Sequence, residues 1–288
     1  LRGQTYDGAS SMSGEYRGCQ AVISAVQPLA IFVHCGAHYV NLVSQAAGES
    51  RSEIRDALQI VNELGTLFSQ SITARSKFSS IVASPESGLQ SSIKVIRPLC
   101  PTRWLVRVKA VDAVVSQLEP VLECLGDLAA GGALATRAAG LLQVLNKSST
   151  LFALQMCLKV FTLLECLNRS LQSSSQTVAG MLQAVECLIQ ELEHFRTDDA
   201  FSELPAENGK MQTKLDLDPL KVPRQRRPPA RYTGSAQSTV ALTVDEFYRP
   251  IYFALIDTAV CQLRERFSGS AGLQQYCKLE RVLVCGTM

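Results

Sequence analysis

Charge of one sign is the first thing this sequence lacks. Its 28 Lys and Arg against 26 Asp and Glu leave a formal charge of +2, too small to name a polyanionic or polycationic partner. Aromatics are sparse at 6 %, with Trp104 the single tryptophan. The abundance of Leu, Val, Ala, Ser and Gln favours helices over a β-sandwich. No run of eighteen apolar residues occurs, which excludes a transmembrane span of the ordinary kind from the expectation. The N-terminus shows no basic stretch followed by an apolar one, so no secretory signal is visible. No CxxC pair exists among the ten cysteines. There is no initiator Met either: the chain opens on Leu1-Arg2-Gly3 directly before a motif and stops at Met288 without punctuation. It therefore reads as an internal piece of a longer protein.

What is present is enough apolar material for a packed core, 47 % hydrophobic against 19 % charged, so wholesale disorder is not expected. Cys124, Cys157, Cys166 and Cys187 lie inside long apolar helical patterns, where a free thiol acts as a small core hydrophobe. With no secretory signal, that points to a reducing compartment.

The pattern divides the chain into four stretches. Residues 1–48 read strand, loop, helix, strand, helix, with the buried strand at Ala30–Val33 after Pro28 and a helix through His38–Ser44 ending near Gly48. Residues 49–201 read as helical. One or two helices cover 53–83. Trp104, Val108, Val111, Val115, Leu118, Val121 or Leu122, and Leu125 recur at spacings of three and four until Gly131-Gly132 breaks the run. Leu151 to Leu164 and Val178 to Phe195 give two more helices. Residues 202–243 are rich in Pro, Lys, Arg, Ser, Thr and Gln, and are expected to be an extended linker. From 244 to 268 Phe247, Ile251, Leu255, Leu263 and Phe267 line one face of a last helix, with Thr243 and Glu246 as a capping box.

Four places carry chemistry. Asp7, between an expected strand end and Gly8, can present a carboxylate to a divalent metal; equally, it can cap a turn. Cys35 and His38 form a CxxH pair, half of a zinc site by ligand count, or a buried thiol and a packed imidazole. Trp104 after Thr102-Arg103 is either an aromatic anchor of a helix start or a site residue. Residues 221–231 hold Lys221, Arg224, Arg226, Arg227 and Arg231 with no acidic residue, a footprint for nucleic acid or an import receptor, or else a solvated linker.

In order, Gly3-Gln4-Thr5-Tyr6-Asp7-Gly8-Ala9-Ser10-Ser11-Met12-Ser13-Gly14, Val33-His34-Cys35-Gly36-Ala37-His38 with Asn41-Leu42, and Thr102-Arg103-Trp104 resemble the core of hAT-superfamily transposases. The nearest group is the zinc-finger MYM-type-like and TTF-type zinc-finger-like domesticated proteins. Leu171–Gln176 resembles a helix of that family's insertion domain. Phe247-Tyr248-Arg249, Asp257 and Gln262–Phe267 resemble the helix before its C-terminal dimerisation segment. The resemblance implies a mixed, predominantly α fold: a partial RNase H-like α/β core interrupted by a large all-helical insertion domain.

The resemblance also implies metal-dependent DNA cleavage and strand transfer by a D-D-E carboxylate triad with two Mg²⁺ or Mn²⁺ ions. Asp7 corresponds to the second Asp and so to a metal ligand. Cys35 and His38 correspond to the structural CxxH motif. Trp104 corresponds to a tryptophan near the cleaved DNA end, and Arg224, Arg226 and Arg227 would add DNA contacts. The first Asp is expected before residue 1 and the third Glu after Met288. Thr5 and Ser11 replace the Gly and Asn frequent in relatives, and Tyr39 replaces an Arg. The expectation is a nuclear, intracellular protein that does not cleave DNA alone, associates with DNA weakly, self-associates or binds protein partners through helices, and spans no membrane. A nuclear interaction module and an unrelated helical scaffold are the alternatives. A sheet with few strands would also leave edges and apolar surface open, which predicts aggregation or dimerisation.

Overall fold

The computed structural model describes residue 1 and residues 3–84, 95–100, 104–173, 176–223, 242–269 and 271–285. Among them the fold is predominantly helical, with thirteen α-helices and one two-stranded parallel sheet. The chain begins β1 (Gly3–Tyr6), α1 (Ser10–Ser13), α2 (Cys19–Val26), β2 (Ile31–His34), α3 (Gly36–Gly48). This is the strand–helix–strand–helix order expected of residues 1–48. A parallel pair needs a crossover rather than a hairpin, and α2 supplies it. Gly3 pairs with Ile31, Gln4 with Phe32, Thr5 with Val33 and Tyr6 with His34. Gln4 turns its side chain towards α2, where its Nε2 donates to the carbonyls of Gln20 and Ala30 and to Ser24 Oγ.

The helical part follows as α4 (Ser52–Gln70), α5 (Ile72–Val82), α6 (Trp104–Ser116), α7 (Leu118–Ala129), α8 (Ala135–Leu145), α9 (Ser148–Leu171), α10 (Val178–Phe195) and α11 (Asp198–Leu215). The single periodic run that starts at Trp104 is split at Gln117 into α6 and α7. Gly132, at φ +94°, turns the chain into α8. The axis of the bundle is α9, which packs against α3, α4, α6, α8, α10, α11 and α12 (Val244–Leu263). By length and composition α9 could cross a membrane, but 72 % of its apolar window is buried inside the protein, as in the core helix of a packed bundle. Each fully buried Leu or Phe on it stabilises by roughly 1.5–3 kcal/mol. Two of its buried polar groups are partnered across helices: Asn208 Nδ2 donates to Gln155 Oε1 at 3.0 Å, and Asn168 Nδ2 to Asn41 Oδ1 at 3.5 Å.

One contiguous hydrophobic cluster runs from Val33 through the bundle to Leu273. Two expectations fail within it. Cys124 and Cys157 are buried as expected, with burial pushing the Cys124 thiol up to about 11, but Cys166 and Cys187 are exposed. On α10 the buried stripe is Val185, Leu188, Ile189 and Leu192, and position 187 falls on its opposite side. The described cysteines are all free thiols.

The second correction concerns 202–243. Far from being extended from its start, it continues α11 to Leu215. Thr197 caps that helix by accepting from Ala200 N, Asp198 and Asp199 favour its first turn, and Phe201 and Leu204 are buried. Cap and buried face outweigh Pro205 inside the helix. After Asp216, Asp218 bonds back to Asn146 and Ser148 at the start of α9.

The capping box forms as expected: Glu246 N donates to Thr243 Oγ1, and Thr243 N to Glu246 Oε2 at 2.8 Å. Thr243 thus starts α12, which runs into a π-helical turn, Arg264–Ser268, and then α13 (Ala271–Cys285). Ion pairs of Arg196 with Asp257 and Arg264 with Glu193 tie α12 to α10. Helix α12 packs along α3, while α13 packs against β2 and α10.

Candidate functional site

In a parallel strand pair, the carboxyl ends of the strands are the place where side chains converge with the start of the next helix. Here β1 ends at Tyr6, so Asp7 is the first residue beyond the strand. Beside it, β2 ends at His34, Cys35 caps α3, and His38 and Tyr39 occupy the first turn of that helix. The Cys35 amide donates to the Tyr6 carbonyl at 2.9 Å, which holds the two strand ends together. The π-helical turn after α12 adds Arg266 and Phe267 from more than two hundred residues away.

The Asp7 carboxylate is exposed, and its Oδ1 accepts from the Ala9 amide at 3.1 Å. That is a turn cap leading into α1, one of the two roles its sequence context allowed. The His38 ring lies against the Gly8 backbone, where a side chain would meet Nε2 at 2.7 Å. Rings then run in sequence across the site. Tyr6 stacks on Phe32 with centroids 6.2 Å apart, Phe32 meets His34 edge-on at 4.9 Å, and His34 stacks on Tyr39 at 5.1 Å. Tyr39 meets the buried Phe267 edge-on at 5.5 Å. Arg266 sits over the Tyr39 ring at 5.9 Å, and Gln262 Oε1 accepts from its guanidinium at 2.8 Å and 3.2 Å. A π turn shifts the helical register by one residue, which lets adjacent positions 266 and 267 reach rim and core.

Electrostatically, the site disfavours a second positive charge. Burial, then His38, then Arg266 lower the pKa of His34, while Asp7 opposes them. His34 Nδ1 is buried without a hydrogen-bond partner among the described residues. Burial also raises the Tyr39 hydroxyl, with Arg266 pulling the other way. A depressed folded-state value for a histidine means that the unfolded chain binds the proton more readily. Its contribution to stability is complete above about pH 6.5 and declines as the pH falls through that value towards the folded pKa. Thermal unfolding followed between about pH 5 and pH 7.5 is therefore expected to show a loss of stability on acidification that His34→Gln reduces. An identical pH dependence in both proteins would contradict this assignment.

Asp7, Cys35 and His38 thus lie in one neighbourhood at the carboxyl ends of β1 and β2. Trp104 opens α6, and its side chain lies outside the described residues, as do Thr102 and Arg103. Arg224, Arg226 and Arg227 also lie outside them. Three participants were missed: His34, Tyr39 and Arg266. A neighbouring ring pair at 34 and 39 had a faint signal in its spacing on the strand end and the first helical turn. Arg266 had none, because only the tertiary path of α12 brings it here.

The donor set does not fit a pair of divalent metal ions. One carboxylate, already accepting from a backbone amide, faces two imidazoles and a guanidinium. Among the described residues no three His, Cys, Asp or Glu side chains group to hold a metal ion. The arrangement can instead accept an anion or stack against a planar ring, through His38, Arg266 and Tyr39. No protein-family model matches this chain, and no solved structure matches it.

Proposed function

We propose that this chain derives from the catalytic core and helical insertion of a hAT-like transposase, and that it serves in the nucleus as a DNA-associated, self-associating chain that does not cut DNA alone. The carrying observation is the placement of Asp7: immediately after β1 in a parallel β–α–β unit, beside the end of a strand that leads into Cys35 and His38. An RNase H-like core would put its second acidic residue in that position. The helical bundle that follows agrees with a large insertion, and the order of the three motif blocks agrees with the family. Among the described residues the site holds one carboxylate, and two-ion phosphoryl transfer needs carboxylates on both metals, so the chain alone is not expected to cut. The residues that would act are those that bind rather than cleave. His38 and Arg266 would approach a phosphate, and the basic residues at 224, 226 and 227 would add sequence-independent attraction.

Two measurements test this reading. The purified chain with Mg²⁺ or Mn²⁺ and a nicked or hairpin-forming DNA is expected to give no strand transfer, with Asp7→Ala as control. Product formation that Asp7→Ala abolishes would refute the non-cutting role. Duplex binding followed across a salt series is expected to be weak, with a log–log slope of magnitude no greater than about 4–5 from the five basic residues of 221–231. Binding that ignores salt, or no binding at low salt, would remove DNA as the partner.

A further inference from the structure

Helix α13 is held to the rest of the protein at a few points rather than along a packed face. Among its described residues only Leu273 is fully buried, while Leu279, Val282 and Leu283 are exposed at 46 %, 45 % and 84 %. Helix α12, just before it, buries eight residues. The first point of attachment is Gly272. A side chain there would overlap the Phe32 carbonyl oxygen and touch Val33 Cγ2 at 3.7 Å, so the helix backbone lies directly against β2. The second is Leu273 with Tyr276, whose ring covers Gly3 at the start of β1. The third is Glu280. Its Oε1 accepts from the Val178 amide at 3.0 Å and its Oε2 from the Ala179 amide at 2.8 Å.

The third point carries the second half of the helix. A helix begins with amides that have no acceptor inside it. In α10 the Gly180 amide is taken by Thr177 Oγ1 at 3.0 Å and the Met181 amide by the Thr177 carbonyl. The Val178 and Ala179 amides before them belong to Glu280. No acidic residue stands in the first turn of α10, so α13 supplies the negative charge that the helix dipole favours there. Two charge-assisted hydrogen bonds to one carboxylate are of the stronger kind. Beyond Tyr276, no other hydrogen bond or ion pair among the described residues ties α13 to another element.

We propose that α13 is a strap that lifts from the protein as a unit, with Glu280 as its latch, so that β2 has a covered and an uncovered state. Lifting bares the Phe32 carbonyl on the outer edge of β2, and Val33, 8 % exposed when covered. Strand β2 delivers His34 and Cys35 to the candidate site, so the strap governs access to the strand on which that site is built. Segments with few buried apolar contacts open at a fraction of the global unfolding free energy. Helix α13 has that character, and α9, buried on nearly every side, does not. The bundle stays closed when the strap lifts, because α12 packs on α3 and α10 without it. The proposal uses neither Asp7 nor the basic segment, so it stands apart from the DNA reading.

Thiol alkylation of the whole chain, resolved by peptide mass spectrometry, tests it. Cys277 is half-buried one turn after Leu273 and reports the strap, and the exposed Cys187 and Cys261 are references on α10 and α12. In the wild type Cys277 is expected to react more slowly than either reference. Glu280→Ala is expected to raise its relative rate at least about tenfold, the effect of losing one charge-assisted hydrogen bond. Glu280→Gln, which keeps one acceptor, is expected to raise it less. Gly272→Ala is expected to raise it too, although alanine is the better helix former, because its Cβ must push the helix off the Phe32 carbonyl. In each variant hydrogen exchange is expected to quicken across 272–283 and to keep its wild-type rate across α9. A Cys277 rate that ignores Glu280→Ala, or that Gly272→Ala lowers, overturns the proposal. So does a wild-type Cys277 as reactive as the references, or a loss of protection shared by α9 and α13, which would make α13 part of the global fold.

Discussion

Phe152→Ala is expected to destabilise the protein by about 3–5 kcal/mol, the largest effect of any single substitution considered. Phe152 is fully buried on α9, and two rings pack on it from separate segments. Phe201 of α11 meets it edge-on at 6.3 Å and Tyr248 of α12 at 5.1 Å. Truncation removes the transfer free energy of a benzyl group and leaves a cavity that three helices can close only by moving towards one another. They are not free to do so. Asn208 fixes α11 to α9 through Gln155 and the Ser148 carbonyl, and Tyr248 is tied by its hydroxyl to the Lys221 carbonyl. The cavity term therefore persists. The midpoint of thermal unfolding is expected to fall by roughly 6–20 °C. The loss also reaches the candidate site, because α12 carries Arg266 and Phe267 to Tyr39. Phe152→Leu, which refills most of the volume, is expected to recover more than half of the loss. A change below about 1 kcal/mol for the alanine variant would show that α11 and α12 are not packed on α9 as described.

Gly65→Ala is expected to destabilise by about 2 kcal/mol, although alanine is the better helix former. In mid-helix the exchange alone would favour the variant by about 1 kcal/mol. Against that, a Cβ at this position of α4 would lie 2.2 Å from the Arg97 carbonyl carbon and the Pro98 nitrogen. These are backbone atoms, so no rotamer change relieves the overlap. The crossing segment is pinned on either side. Ile96 is buried, the Leu99 amide donates to Asn62 Oδ1 at 3.0 Å, and Arg107 Nε donates to the Cys100 carbonyl at 3.1 Å. The clash should exceed the propensity gain, and displacement should pass along the segment towards Trp104. Denaturant unfolding measures the net sign. A variant as stable as the wild type would mean that residues 95–100 yield readily, and that the start of α6 is less firmly placed than these contacts indicate.

Local rules explain which parts of this architecture were readable in advance. The α12 cap needs only Thr243 and Glu246 three residues apart, since both hydrogen bonds form within one turn. The stripe Val185, Leu188, Ile189 and Leu192 announces α10 by period alone. The run Ala30–Val33 overlaps β2 because a short β-branched segment between a proline and a polar turn has few other uses. Composition misled over 202–215, where lysines, glutamates and a proline concealed Phe201, Leu204 and Asn208 on one face of α11. It misled again at Cys166 and Cys187, because an apolar residue in an apolar helix can still fall on the outer side.

Sequence alone determined the helical character and the strand–helix–strand–helix start, because short-range hydrogen bonding and side-chain period act over a few residues. Tertiary structure alone decided how the site is assembled. It set Asp7 beside Cys35 and His38 by pairing β1 with β2, brought Arg266 and Phe267 from the far end of the chain to Tyr39, left His34 Nδ1 buried without a partner among the described residues, gave the Asp7 carboxylate to the Ala9 amide, and laid α13 against the β2 edge. Those outcomes depend on the packing of α12 and α13 across α3, β2 and α10, contacts separated by about sixty to more than two hundred residues, and no local pattern encodes which surfaces such distant elements will share.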